Sequence, residues 1–455
     1  MENKIFKKDF CGKHTFLLTV LRIAVPVALQ SMLQSSFSMI DQLMVGQLGS
    51  TAVAAVEVAG RPSFIYSVIV GAMASIAGIM IAQYLGMEDR DAADRSLSVN
   101  LASAIGLALL FAAVCLIFSE AIVRIYTEDE RIIKTGTEYL KIIAWMYVPM
   151  GAASILSVMV RCMDRASYPL YAGIISAMTN TLMNYVLIFG KCGFPELGVT
   201  GAAIASVISQ MINLIIIILM FRRTERQKGN GFHFSLNLGK TGYLQYFAML
   251  MPVVVNEFLW SVGQNVNTFI YGHIGTQQLA AMSLTGPVQG LFIGALSGIS
   301  QAAGILIGKR LGAKEYDNAY GEAIQLVWYG FAGSLILSGF LLLLQKPYTY
   351  LYNVEPQVRI TAGRLLTAFA VLAPVKVANM ILGGGIIRSG GKTAYLMVID
   401  MIGTWLVGAP LGLITAFVFH MPIVWVYFIL SQEEVVRLVI TFIVFRRKKW
   451  MSSLS

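Results

Sequence analysis

Four polar side chains interrupt an apolar stretch early in the chain: Gln30, Gln34, Ser38 and Asp41, within PVALQSMLQSSFSMIDQLMVGQLG at residues 26–49. Spacings of four, four and three put them on one face of a helix. A carboxylate inside a membrane span costs about 3 kcal/mol on insertion scales, so it normally faces a water-filled cavity or a protein partner and marks a functional site. Asp41 is the first residue that could take up and release a cation; otherwise it is a hydrogen-bonding residue that packs helices together. Asn180 and Asn184, in SAMTNTLMNYVLIFG, are four apart and share a helix face. Their amides offer carbonyl oxygens to a cation and protons to a carboxylate. With Asp41 they would form either an oxygen cage suited to Na⁺ or a hydrogen-bonded setting for a proton-carrying acid; otherwise they are interhelical hydrogen-bonding residues, as Asn commonly is in membranes.

A second polar face lies in PVVVNEFLWSVGQNVNTFIYG: Glu257, Ser261, Gln264 and Thr268, spaced four, three and four. Ionised and alone, Glu257 would be costly, so it is protonatable or paired. Lys376, in VLAPVKVANMILGGG, is the candidate partner, and a Glu257–Lys376 pair stands beside a direct transport role for both. Trp260, Tyr66, Tyr271 and Met282 either line a pocket for flat organic cations or face lipid and packing. Asp400, in YLMVIDMIGTW, is either a further acid of the second half or a partner for Trp405 or backbone. Glu433 and Glu434 precede Arg437 by four and three residues, the spacing of a helix-surface ion pair. Arg161 to Arg165 and Arg388 to Lys392 read as anchors and turns at cytoplasmic helix ends.

The elements that must position these residues are membrane spans. Of 455 residues, 57% are hydrophobic and 13% charged, against about 25% charged in soluble domains. No polar stretch is long enough for a large soluble domain. At about 20 apolar residues per span, the chain holds twelve, near 16–41, 51–82, 97–118, 138–160, 168–190, 199–221, 243–270, 279–307, 322–344, 361–385, 394–417 and 422–445. The fold class is therefore an all-α integral membrane protein. The net charge of +10 does not imply nucleic acid, because the basic residues sit in short tracts between apolar segments. Lys4, Lys7, Lys8 and Lys13 share a side with the clusters Arg222 to Lys228, Lys309 to Lys314 and Arg446 to Lys449. Both termini are accordingly expected in the cytoplasm. The start is a basic tail rather than a cleaved signal peptide. Cys11, Cys115, Cys162 and Cys192 show no metal or disulfide spacing.

The chain repeats itself. Placing Pro26 on Pro252, an offset of 252 − 26 = 226, puts Gly46 on Gly272, Gly60 on Gly286, Gly78 on Gly304 and Gly86 on Gly312 without a gap. AGIMIAQYLGMED then faces AGILIGKRLGAKE, and Asn267 falls opposite Asp41. An even number of spans per half makes these parallel repeats, two six-helix lobes related about an axis along the membrane normal, with substrate sites expected between them. The expected organisation is an N-lobe at 1–221, a cytoplasmic linker at 222–242, a C-lobe at 243–445 and a tail at 446–455. No GxxxxGK[ST], HExxH or GxSxG motif is present, so the chain reads as a carrier and not an enzyme. One cation moving through roughly 100 mV supplies about 2.3 kcal/mol.

These residues resemble the multidrug and toxic compound extrusion (MATE) family. The resemblance rests on Pro26–Gln34–Asp41, on LGSTAVAAV, on NTLMNYVLIFGKCGFPELGVTGAAIASVIS and on IRSGGKT. It implies two lobes around a central cavity and export by alternating access. It further implies organic, cationic substrates exchanged for Na⁺ or H⁺, no cofactor beyond the coupling ion, and a bacterial inner membrane as the location. Its first-lobe cation site carries over onto Asp41, Asn180 and Asn184. A sixth-span hydroxyl falls on Ser206, where the family usually has Thr, and Pro26 matches the family's hinge. Gln34, Ser38, Glu257, Trp260, Gln264 and Lys376 are the cavity candidates. One branch places an acid eight residues after the seventh-span proline and another in the tenth span. Here Trp260 and Val377 stand there, which puts coupling in the first lobe. A lipid-linked saccharide flippase of a related fold is the alternative; it would want a more cationic cavity. One chain suffices for a site between repeats, so the expected unit is a monomer.

Overall fold

The computed structural model describes residues 13–227, 229, 231–352 and 354–454. Lys4, Lys7, Lys8, Cys11 and Lys228 lie outside the described residues. Helices dominate, and no strand occurs among the described residues. The first six segments are α1 (Lys13–Gly46), α2 (Ser50–Gly86), α3 (Arg90–Ile117), α4 (Glu130–Cys162), α5 (Ser167–Ile188) and α6 (Gly198–Gln227). The next six are α7 (Gly239–Ile274), α8 (Thr276–Gly312), α9 (Tyr316–Tyr350), α10 (Pro356–Ile387), α11 (Thr393–Val418) and α12, in two pieces, Ile423–Leu430 and Glu433–Arg446.

Ten of these are long and apolar enough to cross a membrane. The other two are α5, diluted by Asn180 and Asn184, and α12, broken at Ser431 and Gln432. Both departures fall at polar residues. Most helices run past the expected spans: α4 begins at Glu130 rather than 138, and α6 continues to Gln227. Hydropathy marks only the apolar part of a helix, whereas the backbone ladder continues until a cap stops it. Asp89 caps α3 by accepting from Ala92 N at 2.9 Å.

The chain forms two compact units. One comprises residues 29–81 and 89–243; the other comprises 1–28, 82–88 and 244–455. In the first, Tyr66 and Tyr147 are fully buried, and Tyr66 donates to the Tyr147 carbonyl at 2.7 Å. The linker after α6 is pinned by its backbone, His233 N to Asp94 Oδ2 at 3.4 Å and Ser235 N to Ser98 Oγ at 3.2 Å. Arg90 braces the same place, 3.0 Å from Asp94 and 2.8 Å from Glu225.

In the second unit the repeat is visible as a reciprocal contact. A Cβ on Gly86 would lie 2.8 Å from Lys309 Cα, and one on Gly312 would lie 2.9 Å from Gln83 Cα. Gln83 and Lys309 are themselves 226 apart, the repeat offset. The two backbones thus cross at their closest where neither carries a side chain, the small-residue packing that membrane helices use. Gln83 also donates to Ser389 O at 2.7 Å and accepts from Leu454 N at 2.8 Å. The chain end is therefore packed, with Trp450 fully buried.

Because the two crossings are equivalent, Gly86→Ala and Gly312→Ala should each destabilise the protein by a similar amount, about 1–3 kcal/mol. Melting of the purified variants in detergent checks this; an unchanged melting temperature in either would show that the crossing is loose.

Candidate functional site

Asp41, Asn180, Asn184 and Ser206 meet in the first unit. Asp41 lies five residues before the end of α1 at Gly46, and α5 and α6 present the other three. Asn184 is 1% exposed and donates to Asp41 Oδ1. Its own Oδ1 is buried without a hydrogen-bond partner. The Asn180 amide can be placed either way round by hydrogen bonding. In one, Asn180 Oδ1 accepts from Asn184 Nδ2 at 3.2 Å and its Nδ2 donates to Ser206 Oγ at 3.4 Å. In the other, its Nδ2 donates to Asp41 Oδ1 at 2.7 Å and Oδ2 at 3.2 Å.

By hydrogen-bond chemistry the favoured placement depends on the charge on Asp41. An ionised carboxylate only accepts, so it draws the amide N–H. A protonated one can donate, so it suits the amide oxygen. The same donors are also hard oxygens: a carboxylate, the orphaned Asn184 carbonyl, the Asn180 carbonyl and a hydroxyl. That set fits Na⁺ by ligand chemistry. Tyr139 of α4 lies within electrostatic reach of Asp41. The sequence reading missed it, because an isolated Tyr near the start of a span carries no pattern.

The rest of the α1 polar face is less engaged. Gln34 and Ser38 are exposed, and Ser38 spends its hydroxyl on Gln34 O at 3.0 Å. Pro26 lies inside α1 and is half-buried. Tyr66 is a core residue, with a fully buried ring and a hydroxyl that donates to the Tyr147 carbonyl.

The second unit holds a cluster that the sequence distributed differently. Lys376 pairs with Glu434 at 4.0 Å, not with Glu257. Glu257 instead lies within electrostatic reach of Arg388 and Asp400. Glu433, Glu434 and Arg437 are not a helix-surface pair: their side chains are 12, 13 and 11% exposed. Arg437 reaches Glu433 at 3.5 Å, Asp400 at 3.7 Å and Glu434 at 3.9 Å, and donates to Thr404. Asp400 accepts from Asn256 at 2.8 Å, and Trp405 Nε1 has no partner among the described residues.

Room for this cluster comes from α11. Its segment Ile402–Gly408 is a π-helix, in which Gly403 lies against the Arg437 side chain and Gly408 against the Glu433 carboxylate. π-Segments recur at functional sites because they widen a helix locally. Beside the cluster is a cavity of about 410 Å³, whose walls include Trp260, Gln264, Tyr271, Met282 and Lys376. Glu257 is not among its lining residues.

The MatE family model matches residues 26–186 and 252–414, once in each half. The chain is 22% identical to an uncharacterized transporter, YisQ, of Bacillus subtilis, over 99% of both chains. It is 25% identical to the probable multidrug resistance protein NorM of Agrobacterium fabrum over 90% of each. With the multidrug resistance protein MdtK of Edwardsiella ictaluri it shares 24% identity, over 88% of this chain and 87% of that one. The Vibrio cholerae MATE transporter VcmN in its bent form superposes with a TM-score of 0.86 at 14% identity, covering 96% of this chain and 99% of that one. A MOP superfamily transporter from Pyrococcus furiosus gives 0.84 at 16% identity, covering 95% and 96%.

Removing Arg437 would strand three carboxylates around one lysine. Arg437→Met should therefore cost about 3–5 kcal/mol, the range for breaking a buried pair. Thermal unfolding of the purified variant decides it: melting at the wild-type temperature would mean that the carboxylates do not depend on the guanidinium.

Proposed function

The chain belongs to the MatE family, and from that premise we propose that it is a multidrug efflux antiporter exporting organic, cationic compounds in exchange for Na⁺ or H⁺. The observation that carries the reading is the Asp41–Asn184–Asn180–Ser206 cluster: a carboxylate in a span, held by amides that can present either an N–H or an oxygen to it. The similarity to NorM, a probable multidrug resistance protein, and to the multidrug resistance protein MdtK supports the multidrug part.

In the proposed cycle, a cation arriving from outside neutralises Asp41. Asn180 then turns its oxygen toward the acid and its N–H toward Ser206. Loss of the cation reverses both. The two states differ in the polarity of the pocket wall, so each favours a different partner: neutral Asp41 releases an organic cation, and ionised Asp41 attracts one. A ligand shifts a conformational equilibrium only by its differential affinity, and one charge in a low-dielectric site provides it. Alternating access then follows from two conformations of the carrier, with Pro26 as the hinge in α1.

The distribution of Lys and Arg supports both termini in the cytoplasm, and the bacterial relatives support an inner membrane. One chain carries the whole cluster, which supports a monomer as the working unit. The flippase alternative is disfavoured by charge: beside the second-unit cavity, Lys376, Arg388 and Arg437 are matched by Asp400, Glu433 and Glu434, leaving no net positive charge for a pyrophosphate.

Cells expressing the wild-type protein should tolerate cationic dyes better than cells with an empty vector. Asp41→Asn should return tolerance to the vector level at equal membrane abundance. Asn180→Ala with Asn184→Ala should lose most of it, and Ser206→Ala a smaller part. Dye minimal inhibitory concentrations read all three; full tolerance in Asp41→Asn would remove the acid from the transport cycle.

A further inference from the structure

The end of α6 carries a charged patch that plays no part in the transport cycle. Leu219, Arg222, Arg223, Arg226 and Gln227 line a cavity of about 400 Å³. Steps of three, four and seven from Leu219 put the three arginines on its face of the helix. All three are exposed, and no ion pair engages them among the described residues. Glu225, the acid of the same turn, is buried and pairs with Arg90 at 2.8 Å. Phe221 is buried too, with its ring centroid 5.7 Å from that of Phe232. One side of the helix end is thus packed, and the other presents three guanidiniums.

The same face continues into the apolar part of α6. Met211, Ile215 and Leu219, four apart, are 46, 55 and 60% exposed. In a membrane span such a row lies against acyl chains. From Met211 to Arg226 the helix rises about 22 Å, which is roughly half of a bilayer with its headgroups. A single lipid therefore has the length to touch both the row and the arginines. Basic residues at a span end can also serve as plain anchors in water. The second unit shows that alternative, because Phe221-Arg222-Arg223 returns as Phe445-Arg446-Arg447, an offset of 445 − 221 = 224. There Arg446 lies over the Phe442 ring at 5.2 Å and Lys448 over the Tyr320 ring at 4.6 Å. Those cations are engaged by the protein itself; the α6 arginines are not.

We propose that this face of α6 binds one anionic phospholipid, its phosphate held by Arg222, Arg223 and Arg226 and an acyl chain lying along Met211, Ile215 and Leu219. A guanidinium fork matches phosphate oxygens two at a time. The carbonyl end of a helix repels an anion, so the attraction comes from the side chains. A zwitterionic lipid has the same phosphate but brings an ammonium against three cations, so the site favours a headgroup with net negative charge. The site lies wholly in the first unit and is independent of what the carrier exports.

Native mass spectrometry of the purified full-length protein, released from detergent with dioleoyl-phosphatidylglycerol or dioleoyl-phosphatidylcholine, reads the preference directly. The wild type should retain the anionic lipid at least about tenfold more than its chain-matched zwitterionic counterpart. Replacing the cluster, Arg222→Gln with Arg223→Gln and Arg226→Gln, should erase the difference. Arg446→Gln with Lys448→Gln should leave it intact. Equal retention of the two lipids by the wild type would overturn the proposal, and this comparison needs no variant to fold. A preference that survives the triple substitution, or one lost equally in the second-unit variant, would also overturn it. Excess inorganic phosphate should not displace the bound lipid; displacement would make this a free-phosphate site and overturn the lipid assignment.

Discussion

Everything in this protein answers to the cost of charge in a medium that cannot solvate it. A carboxylate in a membrane span must be neutralised, paired or hydrogen-bonded. Asp41 meets that demand with two amides and no cation side chain. Amides suit a reversible site because either end can be presented, so they hold the acid in both of its charge states. A lysine in their place would hold the ionised form permanently and leave nothing to exchange. On the proposed reading, the weakness of the partner is what would make the site responsive.

The second unit meets the same demand by number. Asp400, Glu433 and Glu434 surround Arg437 and Lys376. Such a cluster is rigid only if the backbone admits it, and α11 does so by widening into a π-helix with glycine at Gly403 and Gly408. Replacing a buried pair by apolar residues is often no less stable, so a cluster of this size is weak evidence for stability by itself.

Much of this was legible in the sequence. Composition gave the membrane class, and the 226-residue offset gave the repeat, which returns as the Gly86–Lys309 and Gly312–Gln83 crossings. The spacing of Asp41 and of the two asparagines gave helix faces. That these faces meet was carried by the resemblance, not by spacing. The ion pairs of the second half were not legible: Lys376 faces Glu434 because α10 and α12 pack together, and no local pattern encodes which acid a buried lysine will meet. Glu433, Glu434 and Arg437 were read as a surface pair because i, i+3 and i, i+4 spacing says nothing about which way the helix turns its face. The break at Ser431 and Gln432 and the π-segments of α11 escaped for a similar reason, since both depend on what must fit beside them.

The most direct measurement is dye efflux from proteoliposomes, with the Na⁺ and H⁺ gradients imposed one at a time, for wild type and Asp41→Asn in parallel. The account predicts efflux driven by one of the two gradients in the wild type and by neither in the variant. Equal efflux from wild type and Asp41→Asn, or wild-type efflux indifferent to both gradients, would contradict it.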